Sequence, residues 1–257
     1  MLKVDNAIEK EMLAKHPVPE PVLREGLLDG EQVHTHPVFF DALNGDLIRQ
    51  QGLRTSGSAG VSQQEDNLWH KMLTAHRETS ADLAHALAQV GRRLATEYVD
   101  PASLEAFLAN RGIAIDKNPG FRPVGVGEMA RRIIGKAVVT VTGQEAQKSV
   151  GSLQLCAGQP AGVEAAIHSM RGFLDADDSD GILLIDADNA FNRINRAVAL
   201  WNVQFICPHM KHVLINFYRF LSRIFINSDG FFELSSQEGT TQGCPLATAM
   251  FSLALVL

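Results

Sequence analysis

The sequence predicts an α+β chain, on three observations. Segments with apolar residues at helical spacing dominate it. Two pairs of short extended runs flank turn signals, and one unbroken apolar run, GILLID at 181–186, reads as a strand buried on both faces.

Residues 1–54 form an N-terminal helical extension and residues 55–257 a second unit. NAIEKEMLAK is a short helix, ended by HPVPEPV, where prolines remove donors and favour extended chain. His34 and His36 stand as an H-x-H pair with no further ligands nearby, which reads as a loop feature. TSGSAGVSQQED is a turn region. SADLAHALAQVGRRLATEYV then places Leu83, Leu87, Val90 and Leu94 at helical spacing, with Ser80 as the expected N-cap. DPASLEAFLANRG predicts a helix opened by Asp100 and Pro101 and stopped at Gly112.

GIAID and RPVGV flank a KNPG turn, so a hairpin is expected there, with Lys117 at its tip and Arg122 just beyond. GEMARRIIGKAVV and AGVEAAIHSMRGFL read as helices, the second amphipathic. After GILLID, NAFNRINRAVALWNV and PHMKHVLINFYRFL are helical. RIFINSDGFFELSS is a second hairpin, and Pro245 opens a last helix.

Length and composition narrow the function classes. At 257 residues the chain is near the upper size of one hydrophobic core, and 46% apolar with 20% charged residues is an ordinary globular balance. Cys156, Cys207 and Cys244 are too scattered for a disulfide framework or a zinc site, which points to an intracellular setting. No signal peptide or membrane-spanning stretch is present, so no membrane partner is expected. The net charge of -6 argues against a protein that coats nucleic acid uniformly. It leaves room for a local basic groove, because the local field decides binding. Charge is in fact segregated: Arg111, Lys117, Arg122, Arg131, Arg132 and Lys136 crowd one stretch, and the acidic DADDSD occupies 175–180.

The chemistry concentrates where GILLID runs into Asp186 and Asp188. A strand ending in carboxylates delivers hard oxygen ligands for Mg²⁺, which is held by one or two carboxylates plus substrate phosphates. Both aspartates share a face only if the strand continues through them; if a helix begins at Asp188, only Asp186 need face the site. A Mg²⁺-dependent phosphatase of the haloacid-dehalogenase type uses a similar Asp-x-Asp. It requires a Thr or Val two places after the second Asp, where this chain has Ala190, and no Lys and further acidic pair follow in order.

A second segment decides between them. EGTTQGCPLATAMF (238–251) resembles motif B of reverse transcriptases, particularly the non-LTR retrotransposon form. LLIDADNAFNRI resembles their motif A, and KNPGFRPVGVGEMARRIIGKAV resembles the fingers motifs that precede it. The three occur in the family's order and cover roughly residues 111 to 257. The resemblance implies the fingers and partial palm of a right-hand polymerase, extending a DNA primer on an RNA template from dNTPs. Asp186 would bind both catalytic Mg²⁺ ions, assisted by the carbonyl of Ala187. Lys117 and Arg122 would grip the triphosphate, Phe191 would lie beneath the sugar as steric gate, and Gln242 and Gly243 would line the nucleotide and template side. Asp188 is expected at the surface, and Cys244 as a packing residue. The family's aromatic-x-Asp-Asp motif lies downstream of motif B, and this chain ends first, inside FSLALVL. The expectation is therefore an inactive fragment of such a polymerase, or alternatively a catalytically dead nucleic-acid-binding remnant.

Overall fold

A computed structural model describes residues 2–152, 154–155, 157–176, 181–227 and 231–256. Helix α1 (Asn6–Ala14) starts where the Asp5 carboxylate accepts hydrogen bonds from the amides of Ala7 and Ile8, satisfying two donors of the first turn. Helices α2 (Gly45–Leu53) and α3 (Asp66–Thr74) precede the long α4 (Arg77–Thr96). Helix α4 begins ahead of the expected cap: Ser80 is buried inside its first turn, where its hydroxyl accepts from the His76 amide. Its most buried stripe runs through Ala84, Ala88, Gly91 and Leu94, while Val90 is exposed. Small residues are needed there, since a Cβ on Gly91 would lie 2.7 Å from the Leu43 side chain.

Asp100 does cap the next segment, through its carboxylate and the Ala102 amide, but the helix it opens is short. A 3₁₀ turn (Pro101–Leu104) leads into α5 (Glu105–Leu108), and Asn110 already begins β1. Gly112 is therefore a strand residue and not a helix stop. A Cβ on it would meet Ile226 at 2.5 Å and Ile224 at 2.8 Å, so glycine is what lets the neighbouring strand approach.

The expected hairpins form. Strand β1 (Asn110–Asp116) pairs antiparallel with β2 (Phe121–Gly127), and β3 (Ser222–Asn227) with β4 (Phe231–Ser236). The SDG turn of the second lies outside the described residues. Parallel pairing of β1 with β3 over Asn110–Gly112 and Ile224–Ile226 joins them into a mixed sheet of order β2-β1-β3-β4. The N-terminus lies on this sheet: the Leu2 amide donates to the Ala114 carbonyl, and Val4 and Met12 pack with Ala114, Phe121, Ile224, Ile226 and Leu234.

The larger core is helical. Helix α6 (Met129–Val150) follows β2 and buries Ile133, Ile134, Ala137 and Val138 among α2, α4 and the later helices. Helix α7 (Gly162–Leu174) keeps Val163, Ile167, Phe173 and Leu174 exposed. Helix α8 (Ala190–Arg193) is separated from α9 (Arg196–Ile206) by Ile194 and Asn195, whose side chain caps α9 through the Val198 amide. Helices α10 (Lys211–Tyr218) and α11 (Ala247–Ala254) complete the layer. Residues 1–54 contribute to both cores, through α1 on the sheet and α2 against α4 and α6. Among the described residues, no helix is long and apolar enough to cross a membrane.

The expected central strand also fails. GILLID is not a strand: residues 181–187 have no regular secondary structure, and Leu183, Leu184 and Ile185 are 75–84% exposed. Strand propensity cannot replace a hydrogen-bonded neighbour, and among the described residues no strand pairs with this run.

Candidate functional site

Between β4 and α11 the chain makes a tightly specified loop. Arg196 lies buried beneath it. Its guanidinium donates to the carbonyls of Ser236, Glu238 and Gly239 and to the Ser236 hydroxyl. Burial lowers its pKa to about 10, opposed by the charge of Glu238. The Glu238 carboxylate in turn accepts from the backbone amides of Glu20 and Arg196. Much of the loop's polar backbone is thus bonded within the protein, as a largely buried irregular segment requires.

This loop fixes the segment before α9. Gly239, at φ +58°, touches the backbone of Phe191 and Asn192, and a Cβ there would lie 2.3 Å from the Phe191 carbonyl oxygen. That oxygen accepts from the Thr240 amide at 2.6 Å and its hydroxyl at 3.2 Å, while the Gly239 amide donates to Ile194. The Phe191 ring stacks on Phe251 of α11, centroids 4.4 Å apart and planes 13° from parallel. On its other side the loop meets the first hairpin, where the Gly125 amide donates to the Gln242 carbonyl at 2.8 Å.

These contacts build one cleft of about 730 Å³. Every site residue expected from the sequence lines it: Lys117 and Arg122 from the first hairpin, Asp186, Ala187 and Phe191 from the segment leading into α8, and Gln242 and Gly243 from the loop before α11. The further lining residues that had not been singled out include Lys15, Phe121 and Thr248. Phe121 and Thr248 lie within the motif-like stretches; Lys15 sits in the N-terminal extension, where only a polar residue at the end of a helix marked it.

The basic stretch divides sharply. Arg111 donates to the Ala59 carbonyl, Arg132 to those of Ser56 and Ser58, and Lys136 to that of Arg54, so these cations tie the 54–59 loop to the body. Arg131 is buried, donating to Leu108 and Asn110 with its guanidinium over the Phe217 ring. Lys117 and Arg122 have no side-chain hydrogen-bond or ion-pair partner among the described residues, and both face the cleft.

Asp186 is likewise exposed and without such a partner among the described residues. Asp188 is paired with Arg193 at 3.8 Å, and both side chains are well exposed, so the pair adds little stability. Among the described residues, no group of three or more His, Cys, Asp or Glu converges as a metal cage. An ion that arrived with phosphate oxygens of its own would find the Asp186 carboxylate, and Ala187 beside it, on the cleft wall. This donor set does not fit a pair of ions held by protein groups alone. Cys244 is buried beside the cleft floor, a packing position. His36 accepts from the Val38 amide and caps a 3₁₀ turn.

No protein-family model matches the chain, and no curated protein matches it.

Proposed function

We propose that this chain is the fingers and part of the palm of a reverse-transcriptase-like polymerase, and that its cleft binds a deoxynucleoside triphosphate. One observation carries the reading. In a stretch where the other cations are tied to protein carbonyls, the two that have no side-chain partner among the described residues, Lys117 and Arg122, share a cleft with Asp186, which has none there either. Free cations beside a free carboxylate suit a polyanion that brings a divalent ion with it.

In this reading Lys117 supplies a mobile point charge and Arg122 a planar fork to the phosphates. Asp186 and the carbonyl of Ala187 hold Mg²⁺, which when bound neutralises phosphate charge and orients the triphosphate. Phe191, held by its stack on Phe251, forms the floor under the sugar, and Gln242 and Gly243 form the wall toward the template. In a complete polymerase the same surfaces would receive the RNA template and DNA primer.

The donor set also favours a second reading, binding without turnover, because Asp186 is the one unpaired carboxylate lining the cleft among the described residues. A Mg²⁺-dependent phosphatase gains no support, since among the described residues no further acidic pair accompanies Asp186 there.

The test is a titration with a fluorescent dATP analogue in Mg²⁺. Losing a charge-assisted contact costs about 1.5–3 kcal/mol, so Arg122→Ala should weaken binding roughly ten- to hundredfold. Absence of binding by the unmodified chain, or binding indifferent to both Arg122→Ala and salt, would overturn the proposal.

A further inference from the structure

Residues 15–28 follow α1 and contain no regular structure beyond a 3₁₀ turn at Arg24–Gly26. Several of their backbone groups are nevertheless bound by side chains from residues 189–238. The Lys15 carbonyl accepts from both Asn189 and Asn192, at 2.8 and 2.9 Å. The Glu20 amide donates to Glu238, and the Glu20 and Pro21 carbonyls accept from Asn195. Asn202 accepts from the Leu28 amide and donates to the Gly26 carbonyl, while the Trp201 indole donates to the Leu28 carbonyl.

The readers recur along the sequence at 189, 192, 195 and 201–202, on α8, on the residues that flank it and on α9. The segment is suited to being read. Pro17, Pro19 and Pro21 carry no amide hydrogen and pre-set extended backbone, so fewer donors need partners and less entropy is lost on docking. The Glu20 amide between two of those prolines is the donor that Glu238 takes.

Lys15 joins this segment to the cleft. While its carbonyl receives the two asparagines flanking Phe191, its ammonium donates to the Phe121 carbonyl at 2.8 Å, lies over the Phe121 ring and pairs with Glu11. One residue therefore connects α1, the β1–β2 hairpin and the 186–192 segment.

We infer that residues 15–28 are a strap that sets the spacing between the two walls of the cleft, with Lys15 as its positioning residue. The strap holds the hairpin bearing Lys117 and Arg122 at a fixed separation from the segment bearing Asp186 and Phe191. Its consequence for nucleotide affinity rests on the proposed function; its consequence for the two walls does not.

Hydrogen exchange read by mass spectrometry tests the walls without any nucleotide. Lys15→Met keeps the side-chain length and removes the ammonium. It should raise exchange in peptides spanning 117–123 and 186–193 about fivefold, the factor one hydrogen bond carries, and weaken binding of the dATP analogue similarly. Lys15→Arg, which restores a donor, should recover both, whereas a general loss of stability would not be rescued this way. Asn189→Gly is the second variant: φ at Asn189 is +51°, so glycine keeps the backbone and only the donor to Lys15 is lost. It should raise exchange at 186–193 and leave 117–123 nearly unchanged, and it decides the matter if Lys15→Met does not fold. Wild-type exchange in both walls of the folded variants would overturn the strap, even with nucleotide bound normally. Faster exchange in a chain that binds no nucleotide would keep the strap and remove the nucleotide reading.

Discussion

Gly243 lies against Gly125 so closely that a Cβ at position 243 would stand 2.6 Å from the Gly125 carbonyl oxygen. The neighbouring hydrogen bond, Gly125 amide to Gln242 carbonyl, holds the loop before α11 on β2. Gly243 also sits at φ +101°, a conformation that L side chains rarely adopt. Backbone contact and backbone strain thus both require glycine here. Gly243→Ala should destabilise the chain by about 2 kcal/mol, near the middle of the range for a strained backbone position. At this chain length that lowers Tm by roughly 4–8 °C. An unchanged melt would show that the loop is not docked on β2.

Arg196 is the next most demanding position. Its guanidinium serves several acceptors of the 236–239 loop, and an ammonium cannot reproduce the planar fork. Breaking a buried charged network costs about 3–5 kcal/mol, so Arg196→Lys should lower Tm by roughly 6 °C or more. The same change should weaken nucleotide binding, since Gly239 and Thr240 hold the Phe191 backbone. Arg93→Ala is the control: its pair with Glu97 is exposed on both sides, and thermal unfolding should move by no more than the equivalent of about 0.5 kcal/mol.

Two histidines set the response to mild acid. His16, which follows Lys15, has its pKa pushed below 6.5 chiefly by burial, and its Nδ1 lies 2.8 Å from the Met12 carbonyl oxygen. His212 is lowered too, by burial and then by the charges of Lys211 and His34. Each binds a proton more readily in the unfolded chain, so stability is full above pH 6.5 and falls as pH drops through that value. The slope is at most about 1.4 kcal/mol per pH unit for each group. Melting curves between pH 7.5 and 5 should therefore shift downward with acid, and His16→Asn should flatten part of the shift. A Tm that rises with acid over this range would contradict the burial of both rings.

The first hairpin and most helices were legible because their signals are local. KNPG specifies a turn between alternating runs, and Asp100 caps within two residues of itself. The grouping of Lys117, Arg122, Asp186, Phe191 and Gln242 was legible for another reason, the order and spacing of motifs that resemble a family. What the sequence hid depends on distant partners. GILLID has the composition of a buried strand, but composition cannot say whether a neighbour exists, and Leu183 through Ile185 are exposed. Gly112 looks like a helix stop until Ile224 and Ile226 lie against it. Four of the basic side chains could not be told from phosphate ligands, because the carbonyls they serve lie some 20 to 80 residues away in sequence. The strap was hidden likewise, although asparagines at 189, 192 and 195 are a repeating signal in plain view.

The last prediction separates binding from chemistry. Two-ion phosphoryl transfer places its ions about 3.5–4 Å apart, and carboxylates must offset their mutual repulsion. In this cleft Asp186 is unpaired, Asp188 is shared with Arg193, and among the described residues no third acidic group joins them. One ion brought in by a triphosphate gains ligands from the phosphates themselves, whereas a second ion would have too few. The 257-residue chain should therefore bind dNTP in a Mg²⁺-stimulated manner yet incorporate no labelled deoxynucleotide on a primed RNA template, with Mg²⁺ or with Mn²⁺. Asp186→Ala should abolish the Mg²⁺ stimulation and leave the weaker metal-free binding by Lys117 and Arg122 intact. Binding and incorporation measured side by side on both proteins distinguish the cases. Incorporation that disappears with Asp186→Ala would mean that the second ion finds ligands in this chain beyond Asp186. Metal-stimulated binding that survives Asp186→Ala would instead place the ion elsewhere in the cleft and remove Asp186 from the site.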